Sequence, residues 1–324
     1  MDLFLSTMSQ MAYLFSFIAL GFVLTKIGAL PKESAKVISK LENNLLLPAM
    51  VLNTFTQRFT VKTLSDAGLT LLYSLGVLLV AIFVSLVLVR FLTGDGYLRK
   101  IYTYGLCFSN FGFMGYAVVN ALFPAIYFEY VLFTLPLWTG IYVWGTPELL
   151  IADANKKGIK HRLKNFVNPM FICMIVGMIF GLTGTMGSMD AAGETFVAHG
   201  AVKWFMDVIA AAEKCMSPLA MLLTGITLAF IDLKKTFTTV SIYVVSLIRL
   251  LVFPGIFLAI GTLCGLEGTR FLCALCTLAM PLGLSTIVVP AAYGRDTSQA
   301  AGMALISHAL SCITIPIIFS FVQL

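Results

Sequence analysis

Two short stretches place polar and helix-weakening residues inside long uncharged runs. They are Asn110-Phe111-Gly112-Phe113-Met114-Gly115 and Met280-Pro281-Leu282-Gly283-Leu284-Ser285-Thr286, within the runs 101–128 and 271–294. Lipid tolerates an unwound backbone only where protein or a watery cavity satisfies its polar groups. A helix that restarts after a break presents free N–H groups and the positive end of its dipole. Two such starts meeting in mid-membrane make an anion site that needs no buried Lys or Arg. The Asn110 amide and the Ser285 and Thr286 hydroxyls supply donors suited to a carboxylate. Gly112, Gly115, Pro281 and Gly283 shape the backbone around it. The plainer reading is that Asn110 bridges helices and that the glycines admit close neighbours.

Moving a solute against its gradient requires a coupling ion or a potential, and charge inside a membrane is expensive enough to mark function. Glu42, Glu213 and His308 are the coupling candidates, for protons in preference to sodium, since no cluster of oxygen ligands stands out. Glu42 and Glu213 each precede a proline, Pro48 and Pro218, by five or six residues. For His308 the alternative is a hydrogen-bonded structural histidine. For Lys214 and Arg249 it is snorkelling toward an interface, and Glu148 belongs to an interface. The seven cysteines read as packing residues. Cys273 and Cys276 have no second pair to complete a metal site, so neither a metal nor a cofactor is expected.

The elements that carry these residues must be membrane helices. Of 324 residues 59% are apolar and 11% charged, with mean hydropathy +0.96, against roughly 25% charged in soluble domains. The expected fold is an all-α integral membrane protein. Spans of about 20 apolar residues fall near 3–25, 35–57, 67–90, 101–122, 128–151, 166–187, 201–229, 238–264, 271–293 and 298–322. Fifteen Lys and Arg residues lie on one side of this arrangement (Lys26, Lys32, Lys36, Lys40, Arg90, Arg99, Lys100, Lys156, Lys157, Lys160, Arg162, Lys164, Lys234, Lys235, Arg295). Only four, Arg58, Lys62, Lys203 and Arg270, lie on the other. The positive-inside rule then places both termini outside the cell membrane. The net charge of +6 is accounted for by this asymmetry, without nucleic acid. No basic segment precedes the first apolar run, which reads as a span and not a signal peptide.

The basic stretch 153–165 divides the chain into 1–152 and 166–324, five spans each. Because five is odd, the second half crosses in the opposite sense, an inverted repeat. Pro48-Ala49-Met50 and Pro218-Leu219-Ala220-Met221 echo one another, and the two interruptions follow Cys107 and Cys276 in spans four and nine.

The order of several motifs along nearly the whole chain resembles the auxin efflux carrier family. They are Leu47-Pro48-Ala49-Met50, Asn110 to Gly115, Asn168-Pro169, Pro218-Leu219-Ala220, Gly225-Ile226-Thr227-Leu228-Ala229, Arg249 to Pro254, Met280-Pro281-Leu282-Gly283 and Tyr293-Gly294-Arg295-Asp296. The resemblance implies two inverted five-helix repeats with helices four and nine broken and crossing, and a rigid group of spans one, two, six and seven. It implies transport of small organic anions, auxin in plants and malate or malonate in bacteria. Asn110 matches the family's substrate-binding asparagine. The chain lacks the large hydrophilic loop of long plant carriers, so it looks like a bacterial member. It departs from the family where Ala117 and Thr286 stand at positions that often hold proline.

The expected function is therefore secondary active transport of a small carboxylate by alternating access, coupled to protons or to the membrane potential. The alternative is a ligand sensor on the same fold. A continuous polar pore would mark a channel, and catalytic patterns such as HExxH or GxSxG, which would mark an enzyme, do not occur. Gly177-Met178-Ile179-Phe180-Gly181 suits close helix contact, either in a homodimer, which the resemblance makes plausible, or against span one or two.

Overall fold

The computed structural model describes residues 2–31, 33–151, 167–185, 200–230, 239–293 and 295–322. The expected linker 153–165 and Gly294 lie outside them. The named elements are all helices: α1 Asp2–Lys26, α2 34–58, α3 Val61–Leu92, α4 Gly96–Cys107, α5 Phe111–Leu122 and α6 Pro124–Ile151. There follow α7 Pro169–Thr183, α8 Gly200–Ala229, α9 Val240–Cys264, α10 Thr269–Ala279, α11 Ser285–Ala292 and α12 Ser298–Ser320.

Their ends follow local chemistry. The Asp95 carboxylate accepts from the Tyr97 and Leu98 amides at 2.7 and 2.9 Å and starts α4. Asn168 accepts from the Phe171 amide at 3.1 Å, with Pro169 in the first turn of α7. Gly184, at φ 67°, ends that helix in the left-handed region.

Six of the ten expected spans coincide with helices long and apolar enough to cross a membrane: α1, α3, α6, α8, α9 and α12. The other four are built differently. The second, α2, carries Lys36, Lys40 and Glu42 and widens into a π turn at Glu42–Leu46. The sixth, α7, is 15 residues long. The fourth and ninth are each divided, into α4 with α5 and α10 with α11. Helix α3 turns Leu72, Val80, Phe83 and Phe91 outward, as lipid-facing surface would be.

Two helix pairs approach backbone to backbone. A Cβ on Gly225 of α8 would strike the Ile18 carbonyl of α1, and one on Gly21 would strike the Leu222 carbonyl. Likewise a Cβ on Gly177 would lie 3.0 Å from the Leu52 carbonyl oxygen, and one on Gly181 would lie 2.5 Å from those of Phe55 and Phe59. The small-residue pattern of α7 is thus taken up by α2, one of the two internal partners foreseen for it.

Candidate functional site

The site grows from one missing N–H. Met280 is extended (φ −71°, ψ 148°) as the residue before a proline tends to be, so α10 stops at Ala279. Pro281 cannot donate to the Thr277 carbonyl four residues back. On the other break, α4 stops at Cys107, and the Asn110 amide donates to the Pro281 carbonyl at 2.7 Å and not to Leu106. Gly283 N–H reaches the Phe108 carbonyl at 3.4 Å, completing a short antiparallel pairing of Ser109 with Leu282. Each unwound segment thereby satisfies the other inside the protein. A Cβ on Gly283 would stand 3.2 Å from both the Phe108 and Ser109 carbonyl oxygens, which explains glycine there.

The carbonyls left over converge on one side chain. Arg249, fully buried in a π turn of α9, donates Nη1 to Leu106 O at 2.8 Å, Nη2 to Thr277 O at 2.9 Å and Nε to Met280 O at 3.2 Å. The snorkelling reading of Arg249 is therefore overturned. Its planar fork is matched to carbonyls that two interruptions strip of helical donors, and those carbonyls form the negative ends of α4 and α10. Ser109 Oγ adds a second donor to Thr277 O at 2.7 Å. Ser307 Oγ of α12 accepts from the Leu282 amide at 3.2 Å.

Asn110 and His308 meet directly, 3.1 Å between Nδ2 and Nε2, and both are buried. His308 Nδ1 lies 2.7 Å from the Ala304 carbonyl. A carbonyl only accepts, so Nδ1 carries the proton, and in the neutral ring Nε2 accepts a hydrogen bond from the Asn110 side-chain N–H. Asn110 Oδ1 is left buried and without a partner. The Asn110 donor expected to meet a ligand is thus turned to His308, and the open position is an acceptor.

The other expected site residues divide clearly. Gly112 and Gly115 follow the break, in the π turn Phe111–Gly115, and do not form it. A Cβ on Gly112 would strike the Trp138 ring, and one on Gly115 the Tyr130 hydroxyl, so both admit the aromatic wall of α6. Tyr130 also donates to Phe111 O at 3.3 Å, and Trp138 Nε1 donates to the Tyr116 hydroxyl at 3.1 Å. Thr286 Oγ1 donates to Gly283 O at 2.7 Å and braces the start of α11. Ser285 is half-buried beside the Tyr104 hydroxyl. Ala117 lies within α5, beyond the break, so the absent proline there is not what interrupts the chain.

Glu213 accepts from Asn53 Nδ2 at 2.5 Å, and Asn53 Oδ1 in turn accepts from Gln57 at 2.8 Å. This links α8 to α2 away from the break. Glu42 is buried in its π turn with neither carboxyl oxygen bonded. Neither glutamate hydrogen-bonds to the interrupted segments. Sequence reasoning missed the convergence on Arg249 and the roles of Ser109 and Ser307. An arginine inside an apolar span was the available signal for the first.

Long apolar helices around two interrupted ones, with the interruptions paired in the interior, define a multi-pass helical membrane protein. The chain matches the membrane transport protein family, that of the auxin efflux carriers, over residues 6–162 and 156–319, and it belongs to that family. Among curated proteins none matches it.

Proposed function

We propose that the protein is a secondary active transporter of a small carboxylate, working by alternating access in the cell membrane with both termini outside. In this reading it has ten spans in two inverted five-helix repeats, and protons or the membrane potential drive it. The observation that carries the proposal is the pairing of the two interruptions at Asn110 and Pro281. That pairing is antiparallel, so the first turn of α5 lies against the end of α10 and the first turn of α11 against the end of α4, at the two ends of the crossing. Residues 111–114 precede the first hydrogen bond of the π turn, from Gly115 N–H to Asn110 O at 3.0 Å, so their amides have no helical acceptor. Free amides at a helix start favour negative charge.

Thermal unfolding of the purified protein with malate, malonate or indole-3-acetate tests the assignment. A ligand at a hundred times its Kd stabilises the folded state by about 2.7 kcal/mol. One of these carboxylates is expected to stabilise the wild type, and Asn110→Ala, still folded, is expected to lose that response. A folded wild type that responds to none of them, and takes none up in proteoliposomes, would rule the assignment out.

A further inference from the structure

We propose that Asn110 and His308 form a proton-dependent amide switch, in which protonating His308 turns the Asn110 amide from presenting an acceptor to presenting donors. The inference rests on the carboxylate reading above and adds to it the atom on which the coupling proton rides.

With Nδ1 committed to Ala304 O, His308 has one place for a second proton, Nε2. That proton displaces the Asn110 Nδ2 donor now facing it at 3.1 Å, since two donors cannot share the contact. Rotating the amide by half a turn about its last torsion restores the bond, with Nε2–H donating to Oδ1. The same rotation moves Nδ2 and its N–H groups into the position now held by the unpartnered Oδ1. In the neutral state an incoming carboxylate meets a carbonyl oxygen there and is repelled. In the protonated state it meets donors beside the free amides of α5. No other bond is made or broken, and the net change is one proton on Nε2.

The surroundings make proton and anion depend on each other. His308 is 1% exposed, and no carboxylate among the described residues bonds to its ring. Helices α1, α4, α8, α9, α10 and α11 pack against α12. The charged groups they carry are engaged elsewhere or turned out. Arg249 of α9 donates to three carbonyls, Glu213 of α8 accepts from Asn53, and Lys26 of α1 lies over the Phe22 ring. Lys214 of α8 and Lys100 of α4 are exposed, Arg99 of α4 donates to Thr93 O at 2.8 Å, Lys203 pairs with Asp207, and Arg270 of α10 pairs with Asp66. Cys107, Cys273, Cys276 and, on α12 itself, Cys312 are free thiols. A buried imidazolium therefore has no fixed counter-charge, and the carboxylate of the ligand supplies it. Proton and anion bind together, one to one.

Because binding takes up a proton, affinity is highest at low pH and falls as pH rises. The experiment measures affinity for malate or malonate at pH values above the ligand's own ionisations, on wild type and His308→Gln. It also measures proton uptake by the wild type on ligand addition in weak buffer. Wild-type affinity is expected to fall about tenfold per pH unit, with one proton taken up per anion bound, while His308→Gln binds independently of pH. Binding without proton uptake, or the same slope in His308→Gln, overturns the switch and leaves the carboxylate assignment standing. Proton uptake needs no variant, so its absence overturns the switch even if His308→Gln does not fold, and Glu42→Gln, expected to keep the wild-type slope, separates His308 from the other buried acid. No binding at any pH removes both.

Discussion

Arg249→Met is expected to destabilise the protein by about 3–5 kcal/mol, the range for stripping one partner from a buried charged network. Three hydrogen bonds from a charged donor are lost, each contributing roughly 1.5–3 kcal/mol. Relief from burying a cation offsets part of that sum, because methionine has nothing to desolvate. What remains is set by the carbonyls of Leu106, Thr277 and Met280. Pro281 can never serve Thr277, and the Asn110 amide is already bonded to Pro281 O, so no backbone donor can step in without dismantling the pairing. Arg249→Lys should fall between the two. It keeps the charge but replaces a planar fork that bridges two helices with a single point of donation. Equilibrium unfolding in mixed micelles measures the series, and an Arg249→Met protein as stable as wild type would disprove the role given to this side chain. The same variant should lose its response to carboxylates, because Arg249 secures the paired segments from which α5 and α11 each start.

Much of this arrangement was legible in the sequence, for reasons that differ from residue to residue. Pro281 in an apolar run announces a break on its own, since the missing N–H and the restricted preceding residue need no tertiary context. The first break was legible only as a neighbourhood. Gly112 and Gly115 drew attention to themselves by type, yet the chain unwinds just before them, at residues 108–110, where the partner segment offers Pro281 O and Leu282. That choice depends on a contact across about 170 residues of chain. Arg249 was noticed as a buried charge, but an arginine that snorkels and one that caps carbonyls look alike until the carbonyls are placed. The meeting of Asn110 with His308 has no local signature, and neither does the direction in which the amide faces. Gly177 and Gly181 were readable as a close contact because small residues have few other uses in an apolar helix. Which surface they meet, α2, required the fold.

Gly225→Val is expected to part α1 from α8, at a cost at the upper end of, or beyond, the 1–3 kcal/mol usual for overpacking. The reason lies in what the new atoms would meet. A Cβ at 225 would strike the Ile18 carbonyl and stand 2.8 Å from the Phe22 amide nitrogen. These are backbone atoms of a helix and cannot turn aside as a side chain can. The contact is reciprocal, since Gly21 faces the Leu222 carbonyl, so moving the helices to accommodate one side loosens the other. In a membrane, helix association relies on such close packing, because lipid offers apolar surface as good as a neighbouring helix does. Gly76→Ala is the control. Gly76 sits within α3 with nothing within 4 Å of its added Cβ, so that change is expected to stabilise by up to about 1 kcal/mol through helix propensity. Unfolding midpoints that move in opposite directions for the two glycines would support the assignment, and a neutral Gly225→Val would refute it. The pair also bears on how the proposed alternation is built. Glycine contacts join α1 to α8 and α2 to α7 backbone to backbone, whereas α5 and α10 meet α6 through Trp138 and Tyr130, side chains that can re-pack. In the proposed alternation the glycine-joined helices would form the group that stays fixed, and the aromatic contacts of α6 would lie within the group that moves. On that proposal Gly225→Val should lower stability and transport together, because it loosens the group proposed to stay fixed.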